Sequence, residues 1–355
     1  MDTGLDSLVE RVRAAAARRT PLCIRGGGTK DFYGNPPRGD LLDTRALSGV
    51  VAYEPSELVV TARAGTPLAQ LEAVLGQKGQ MLAFEPPHFG DGATVGGCVA
   101  AGLAGPRRAS SGTTCGGVRD FVLGARMVDG RGQVLSFGGT VMKNVAGYDV
   151  ARMLAGSLGI LGVIVEVSLK VLPVPAAETT LDFEMDEAEA LARLNQWGGQ
   201  PLPISASAWS AGVLRLRLSG APPALRAARD SLGGEEVDGA AFWTDVREQR
   251  HPFFTADGPL WRVSVPSVAG PLGLGEPQLI EWGGALRWLR SDRPPAEIRA
   301  RSAELGGHAT LFRGGDRSQG VFTPLSPPLA AIHRRLKSEF DPAGILNPGR
   351  LYAEL

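Results

Sequence analysis

The strongest constraint on how this chain folds is the placement of its glycines. Between Gly90 and Gly162 there are 18 glycines in 73 residues, and a separate run, RGGGTK, occupies residues 25–30. Glycine inside sheets and helices lowers their stability, because it adds backbone entropy to the unfolded chain and offers no side chain to pack. So many glycines therefore indicate repeated close contact between the backbone and a large ligand.

The first glycine-rich segment has the composition of a phosphate-binding loop. Three consecutive glycines lie between Arg25 and Lys30, where backbone N–H groups can point at an anion that the two cations neutralise. A Walker loop needs glycine directly before its lysine, and Thr29 is there; a dinucleotide G-x-G-x-x-G motif needs glycine where Asp31 stands. The segment predicts a phosphate-bearing ligand outside these two classes, and the alternative is a tight turn that leaves a strand.

Two more glycine-rich segments follow, FGDGATVGGCVAAGLAGPRRASSG at residues 89–112 and NVAGYDVARMLAGSLGILGVIVE at residues 144–166. Residues 94–102 begin a helix of small residues, which suits an anion at its N-terminus and close approach of a ligand. Packing of that helix on a sheet is the alternative interpretation. Asp129-Gly130, between two apolar runs, predicts a β-hairpin.

Charge and length exclude several classes of function. The chain has 37 basic and 37 acidic residues, so it offers no overall basic field to nucleic acid or to an anionic membrane. Its N-terminus is amphipathic and charged, unlike a signal peptide, and its apolar stretches are shorter than the ~20 residues that span a bilayer. We expect a cytoplasmic protein that reaches the inner membrane only through partners.

The cysteines and histidines do not form a metal-binding pattern. Cys23, Cys98 and Cys115 are odd in number and widely spaced, which argues against disulfides and iron–sulfur or zinc ligation and favours a reducing compartment. Cys98 and Cys115 are expected to be inert. No two of the four histidines lie three to five residues apart, so we expect no metal site.

The pattern of apolar residues predicts an α+β protein with a boundary near the proline-rich residues 173–178. The predicted helices are 5–19, 68–75, 186–197, 221–232, 294–305 and 329–340. The predicted strands are 22–24, 41–43, 50–53, 58–62, 121–128, 133–137, 160–172, 179–184, 204–209, 213–218 and 260–265.

The order and spacing of the three glycine-rich segments resemble the flavin-binding domain of the vanillyl-alcohol oxidase (PCMH-type) family, and DPAGILNPGR at 341–350 is similar to the tail of FAD-linked oxidases. The resemblance implies a PCMH-type FAD-binding domain of two α+β subdomains at 1–175. It further implies an α+β, FAD-linked-oxidase-like cap domain for substrate at 176–340 and a tail at 341–355 that returns to the flavin domain.

The resemblance also implies which residues bind FAD. Residues 26–30 and 94–97 would contact the pyrophosphate, and residues 162–164 the adenine end. Some family members attach flavin covalently through a histidine where this chain has Thr29 and Lys30, so non-covalent binding is expected. The FAD-binding residues expected on this basis are Arg25, Gly26, Gly27, Gly28, Thr29, Lys30, Thr94, Val95, Gly96, Gly97, Gly105, Gly112, Gly156, Gly162, Val163 and Ile164.

Three stretches, GGGTKDFYG, GSLGILG and WTDVREQRHPFF, are similar to the flavin-binding subunits of bacterial glycolate (2-hydroxy acid) oxidases. This implies an FAD-dependent oxidoreductase acting on CH–OH donors, which converts glycolate to glyoxylate together with a second FAD-linked subunit and an iron–sulfur subunit. The family's catalytic H-x-x-G-D-G-N-x-H motif is missing, which favours dependence on partners. A self-sufficient dehydrogenase and a structural subunit with a vestigial flavin site are the alternatives.

Oxidation of a 2-hydroxy acid requires a base near the hydroxyl group and a cation for the carboxylate. His251 with Arg247 or Arg250 offers both, and so does His333 with its neighbours Arg334 and Arg335. Adjacent residues on a helix point in different directions, so His251 and Arg247 are the preferred catalytic candidates. The alternative is that His251, before Pro252, caps a helix or packs in the interior.

Overall fold

The computed structural model describes residues 3–109, 116–139 and 149–355. The helices in this part are α1 Thr3–Arg18, α2 Leu68–Gly76, α3 Val95–Ala101, α4 Val118–Phe121, α5 Val150–Met153, α6 Glu187–Gly198, α7 Pro222–Leu232, α8 Ala240–Arg247, α9 Pro252–Thr255, α10 Pro295–Glu304 and α11 Pro327–Phe340. The strands are β1 Leu22–Arg25, β2 Asp40–Asp43, β3 Val50–Glu54, β4 Val59–Arg63, β5 Gln80–Met81, β6 Val122–Val128, β7 Val134–Gly138, β8 Val163–Lys170, β9 Leu172–Pro173, β10 Ala177–Glu184, β11 Ile204–Ser210, β12 Val213–Gly220, β13 Glu235–Val237, β14 Leu260–Ser264, β15 Gln278–Glu281, β16 Leu286–Arg290 and β17 His308–Arg313.

A five-stranded antiparallel sheet organises the N-terminal part, with strand order β3-β4-β8-β6-β7. The central strand β8 is buried on both faces. Ile164 and Val167 pack against α2 and α3 on one side, while Val163 and Val165 pack against α1 on the other. A strand covered on both faces reads as a continuous apolar run, as VIVEVSL does.

The C-terminal tail completes a second, smaller layer of the N-terminal part. β1 and β2 pair in parallel, and the tail adds to the free edge of β1: the Leu22 amide donates to the Ile345 carbonyl at 2.7 Å, and the Asn347 amide to the Leu22 carbonyl at 3.0 Å. Lys337 and Asp341 fix the start of the tail, because the buried ammonium donates to Asp341 and to the Leu346 carbonyl, both at 2.7 Å.

The second part is built on an eight-stranded antiparallel sheet of order β13-β10-β12-β11-β15-β16-β14-β17. Helices α6, α7 and α10 cover one face with Leu, Ile, Ala and Trp side chains. The opposite face packs on α8 and on the N-terminal part through one shared apolar cluster, in which Leu279, Trp288 and Phe312 meet Tyr33 and Leu103. Side chains on this face therefore line the junction between the two parts.

The predicted α+β class is confirmed, as are the predicted helices and strands within a few residues at their ends. The strand expected at 160–172 begins at Val163, because Leu158 and Gly159 adopt positive φ and turn the chain first. Helix α8 and the strands β13, β15, β16 and β17 were missed. We propose the division into a domain at 1–175, a second domain at 176–340 and a tail at 341–355.

Candidate functional site

A cleft opens where the two layers of the N-terminal part meet the tail. Four segments form it: the loop after β1, the first turn of α3, residues 158–164 and the tail. Of the predicted FAD-binding residues, those lining the cleft are Arg25, Gly26, Gly27, Gly28, Thr29, Lys30, Thr94, Gly96, Gly97, Gly162 and Ile164. Stretches remote in sequence thus converge on one site.

Glycine is required where the first two segments touch. A β-carbon on Gly27 would lie 1.4 Å from the carbonyl oxygen of Gly92, which is an impossible overlap with backbone. Gly28 has a φ of +74°, in the left-handed region that favours glycine. These two positions let the loop after β1 lie directly against residues 92–94.

The backbone amides of residues 26–30 are the distinctive feature of the cleft. Within the described chain, none of these five N–H groups donates a hydrogen bond to protein. Buried amides are normally paired, so a run of free donors along a cleft marks a place for an acceptor-rich ligand. Pyrophosphate is such a ligand, since its oxygens accept charge-assisted hydrogen bonds.

Residues 94–97 contribute in a different way from the one expected. The amides of Val95 and Gly96 already donate to the Thr66 and Ala64 carbonyls at 2.9 and 2.7 Å, and the Gly97 amide donates to Thr94 Oγ1 at 3.2 Å. They are not free to bind phosphate. Their contribution is a wall of small residues that allows close approach.

Two cations flank the free amides, and they differ in how they are paired. The half-exposed Arg25 donates to Asp31 at 2.7 Å, so its charge is already balanced. Lys30 donates to the His88 carbonyl at 3.2 Å and makes no ion pair within the described chain. Burial lowers the pKa of Lys30, and an adjacent phosphate would raise it again by stabilising the ammonium form.

Sequence reasoning missed two tail residues that line the cleft, Asn347 and Arg350. The Asn347 side chain accepts from the Ile24 amide and donates to the Leu158 carbonyl, both at 2.7 Å, and so links two walls of the cleft. The buried guanidinium of Arg350 donates to the carbonyls of Asp31, Lys30 and Asn35. The signal was available in the quoted tail, DPAGILNPGR, whose polar residues were not assigned.

Four predicted FAD-binding residues do not line the cleft. Val95 and Val163 are almost fully buried in apolar clusters. Gly156 lines a separate cavity beside α5 and α11, and Gly105 lies at the junction with the second part, where its carbonyl accepts from the Trp282 indole at 3.0 Å. Gly112 lies outside the described residues, as do Cys115 and the residues of the GYD motif up to Tyr148.

The preferred catalytic pair separates in the structure. His251 is the N-cap of α9, where Nδ1 accepts from the Phe253 amide at 3.3 Å, and its ring packs against Phe242. Desolvation and nearby Arg215 lower the pKa of His251. Arg247 donates to Glu248 at 2.8 Å and lines a small pocket between the two parts to which His251 does not contribute. The capping role, considered above as the alternative, accounts for His251.

Glu248 couples the second part to the cleft. Its carboxylate accepts from the amides of His88 and Phe89 at 3.0 Å each, and the His88 carbonyl in turn accepts from Lys30. The His88 imidazole contacts Glu72 at 2.9 Å. The segment 88–89 is therefore held from both sides.

Among the described residues, neither Cys98 nor a metal-binding cluster provides a second site. Burial raises the pKa of Cys98 to about 12, so its thiol stays protonated. Among the described residues, His, Cys, Asp and Glu side chains form no cluster of three or more arranged to hold a metal ion. In the same part of the chain, no helix has the length and apolar character needed to cross a membrane.

Comparisons with known proteins agree with this geometry. A family model described as "FAD binding domain" matches residues 3–149, and one described as "FAD linked oxidases, C-terminal domain" matches residues 314–351. The fold is similar to that of solved alkyldihydroxyacetonephosphate synthase, with a TM-score of 0.68 at 16% identity, over 97% of this chain and 74% of that one.

The chain is 52% identical to glycolate oxidase subunit GlcE of Escherichia coli (strain K12) over 98% of its own length and 97% of that protein's. It is 27% identical to glycolate oxidase subunit GlcD of Bacillus subtilis (strain 168), but over 53% of its own length and 39% of that protein's. The likeness to D-lactate dehydrogenase of Archaeoglobus fulgidus is 33% over 46% of this chain and 35% of that one. The chain belongs to the family of FAD-linked oxidoreductases that contains glycolate oxidase subunit GlcE.

Proposed function

We propose that this protein is the FAD-binding subunit of a glycolate (2-hydroxy acid) oxidase complex, which oxidises glycolate to glyoxylate together with a second FAD-linked subunit and an iron–sulfur subunit. The run of amides at residues 26–30 that are free within the described chain carries the proposal, because it supplies donors for a diphosphate in a cleft formed by segments remote in sequence. The 52% identity, over 98% of this chain, to a protein named as a glycolate oxidase subunit supports the assembly.

The residues of the cleft fit FAD, and each part of the cleft can be matched to a part of the FAD molecule. Residues 26–30 would hold the pyrophosphate, with Lys30 as the unpaired cation. Gly162 and Ile164, with Leu158 and Gly159, would enclose the adenine end. FAD, when bound, supplies the acceptor for the hydride that leaves the hydroxyl-bearing carbon.

Non-covalent binding is part of the proposal. The described residues that line the cleft include neither histidine nor cysteine, the side chains that commonly carry covalent flavin. Thr29 and Lys30 stand where a tethering histidine would be expected. Denaturation in acid is therefore expected to release all of the flavin into the supernatant.

The decisive experiment is to purify the chain alone and together with whatever accompanies it in its host. We expect the isolated chain to carry, or to take up, one FAD, seen in the visible absorption bands of flavin. We expect glycolate to bleach the flavin rapidly in the complex, whereas rapid bleaching of the isolated chain would support a self-sufficient dehydrogenase. Absence of flavin, and no uptake from added FAD, would contradict the proposal and support a structural subunit.

A further inference from the structure

A small pocket lies between the two domains. Strands of the eight-stranded sheet form one wall, with Arg262 on β14 and Glu281 on β15. Side chains alternate between the two faces of a strand, so Glu281 shares its face with Leu279, which packs towards the first domain. The register puts Arg262 opposite Trp288, on the strand between β14 and β15. Both polar groups therefore project into the junction of the domains.

Two arginines in this junction form no salt bridge within the described part of the chain. The guanidinium of Arg262 lies 5.2 Å from the centre of the Trp282 ring, and that of Arg108 lies 4.5 Å from the same ring. Within the described chain, neither makes an ion pair, and each disfavours the other's charge. Arginine stays charged in proteins. Two guanidinium groups at one indole, neither of them in a salt bridge within the described chain, indicate a binding place for an anion.

An unsatisfied polar side chain faces the same pocket. Gln249 is 6% exposed, and its Oε1 atom is buried without a hydrogen-bond partner in the described structure. Which amide atom is oxygen is set by its surroundings, so this group can serve a ligand as donor or as acceptor. Native proteins rarely leave such a group unpaired unless a ligand or water completes it.

Backbone strain is concentrated around this pocket. Phe89 and Gln249, which line it, have φ values of 56° and 54°. Trp282 at 55° and Glu85 at 45° lie at its edge, on either side of Gly105. Bulky residues avoid the left-handed region, and such strain collects at functional sites.

Glu281 is a buried carboxylate that lines the pocket. It is 4% exposed, and the Trp288 indole donates to its Oε1 at 2.7 Å. The pKa of Glu281 is raised to about 7, chiefly by desolvation and to a smaller extent by nearby Glu85, while the Trp288 hydrogen bond and Arg262 oppose the rise. A carboxylate that titrates near neutral pH is suited to accept a hydroxyl proton.

We propose that this pocket, on the assumption that the oxidoreductase function above is correct, binds a small 2-hydroxy acid, with Arg262 holding its carboxylate and Glu281 facing its hydroxyl group. Gln249 then completes its hydrogen bonds on the ligand. In the reaction the O–H bond breaks and its proton passes to the Glu281 carboxylate. The hydrogen on the same carbon would leave with its bonding pair as a C=O bond forms, and bound flavin would supply the acceptor for that hydride.

Calorimetric titration of the full-length, FAD-loaded protein with glycolate tests the inference without measuring turnover. We expect Arg262→Met to weaken glycolate binding at least tenfold while the flavin content stays unchanged. The matched control is Arg299→Met, since Arg299 also stacks on a tryptophan, Trp261, but on the opposite face of the sheet. It should bind glycolate like the parent protein.

The proton on Glu281 gives a second readout. Glycolate binding near pH 7 should change the ionisation of Glu281, so the measured heat should depend on the ionisation enthalpy of the buffer. Glu281→Gln should abolish that dependence while leaving the affinity within about threefold. If Arg262→Met leaves glycolate affinity unchanged, or instead expels FAD, the pocket is misassigned even though the flavin function stands. If the chain takes up no FAD but binds glycolate through Arg262, the proposed function fails and the pocket stands.

Discussion

The FAD cleft and the interdomain pocket are built from opposite materials. The cleft presents backbone: five free amides at residues 26–30, glycines that remove steric barriers, and one unpaired lysine. The pocket presents side chains from a sheet face, Arg262 and Glu281, with Gln249 opposite. Backbone donors suit a large ligand that needs many parallel hydrogen bonds, whereas side chains with adjustable pKa values suit proton transfer on a small one.

The difference predicts which variants affect one site and spare the other. Substitution of the glycines of the cleft should remove FAD and leave the pocket intact, because an added β-carbon displaces only the atoms that it directly contacts. Changes in Arg262 or Glu281 should alter binding of a small acid and its pH dependence but leave the flavin in place.

Gly27→Ala should have the largest effect. Its β-carbon would lie 1.4 Å from the Gly92 carbonyl oxygen, so the two loops must separate and the amides of residues 26–30 lose their alignment. We expect FAD affinity to fall at least 1000-fold, about 4 kcal/mol, measured by quenching of flavin fluorescence.

Gly76→Ala is the matched control, because a β-carbon there meets nothing within 4 Å. It should leave FAD affinity unchanged, and circular dichroism should show both variants folded. If Gly27→Ala kept the FAD affinity of the parent protein, the proposal that close backbone contact forms the cleft would be wrong.

Lys337→Met should have the next largest effect, and it acts on the FAD cleft through the tail. The buried ammonium donates to Asp341 and to the carbonyls of Ile160 and Leu346, so its removal leaves the Asp341 carboxylate buried without a cation. Breaking such a pair costs about 3–5 kcal/mol, to be measured by urea unfolding. FAD affinity should fall as well, because Asn347 and Arg350 lose their support.

Adding Asp341→Asn to Lys337→Met gives the control for that interpretation. The double variant no longer buries an unpaired charge, so it should recover part of the lost stability. A double variant less stable than Lys337→Met would show that the tail is held by other contacts.

The pH dependence of the free energy of unfolding should report on Glu281 and not on the FAD cleft. Its pKa is about 7 in the folded protein against 4.5 in the unfolded chain. The folded state therefore binds the proton more tightly, and this contribution is complete below pH 4.5 and is lost as the pH rises through 7. The difference between the two pKa values corresponds to about 3 kcal/mol in the free energy of unfolding.

Glu281→Gln should abolish that loss, so that the free energy of unfolding of the parent protein falls relative to the variant between pH 4.5 and 8. Glu304→Gln, a change at an exposed position of α10, serves as control. Parallel pH profiles for the parent protein and Glu281→Gln would place the titrating group elsewhere.

Thr94→Ala should have the smallest effect. The Thr94 hydroxyl accepts from the Gly97 amide at the start of α3, and loss of such an N-cap costs about 1 kcal/mol. Thermal unfolding should detect this, while FAD affinity changes less than fivefold because the amides of residues 26–30 remain. Thr94→Ser keeps the cap and should be neutral; an effect as large as that of the alanine variant would assign the role to the methyl group.

The amino-acid sequence alone determined the cleft to a large extent, because glycine is recognisable by residue type wherever backbone must approach a ligand. RGGGTK and the segments after residues 89 and 144 identified its walls before any contact was known. Sequence also gave the local elements, since apolar periodicity and Asp-Gly turns act over a few residues. It did not show that the Val95 and Gly96 amides are already used, because their acceptors lie about 30 residues away on the chain.

Only the tertiary structure decided the interdomain pocket. Arg262 and Glu281 lie on strands that are joined through a third strand, β16, and Glu281 belongs to β15, which is short and was not predicted. A charged residue within a strand reads as solvent-exposed until the neighbouring domain is seen to cover it. In the sequence, the arginines near His251 made it the preferred catalytic candidate. The chemistry of a side chain, however, depends on the groups that surround it in space. Those surroundings come from pairings distant in sequence, which no local pattern records.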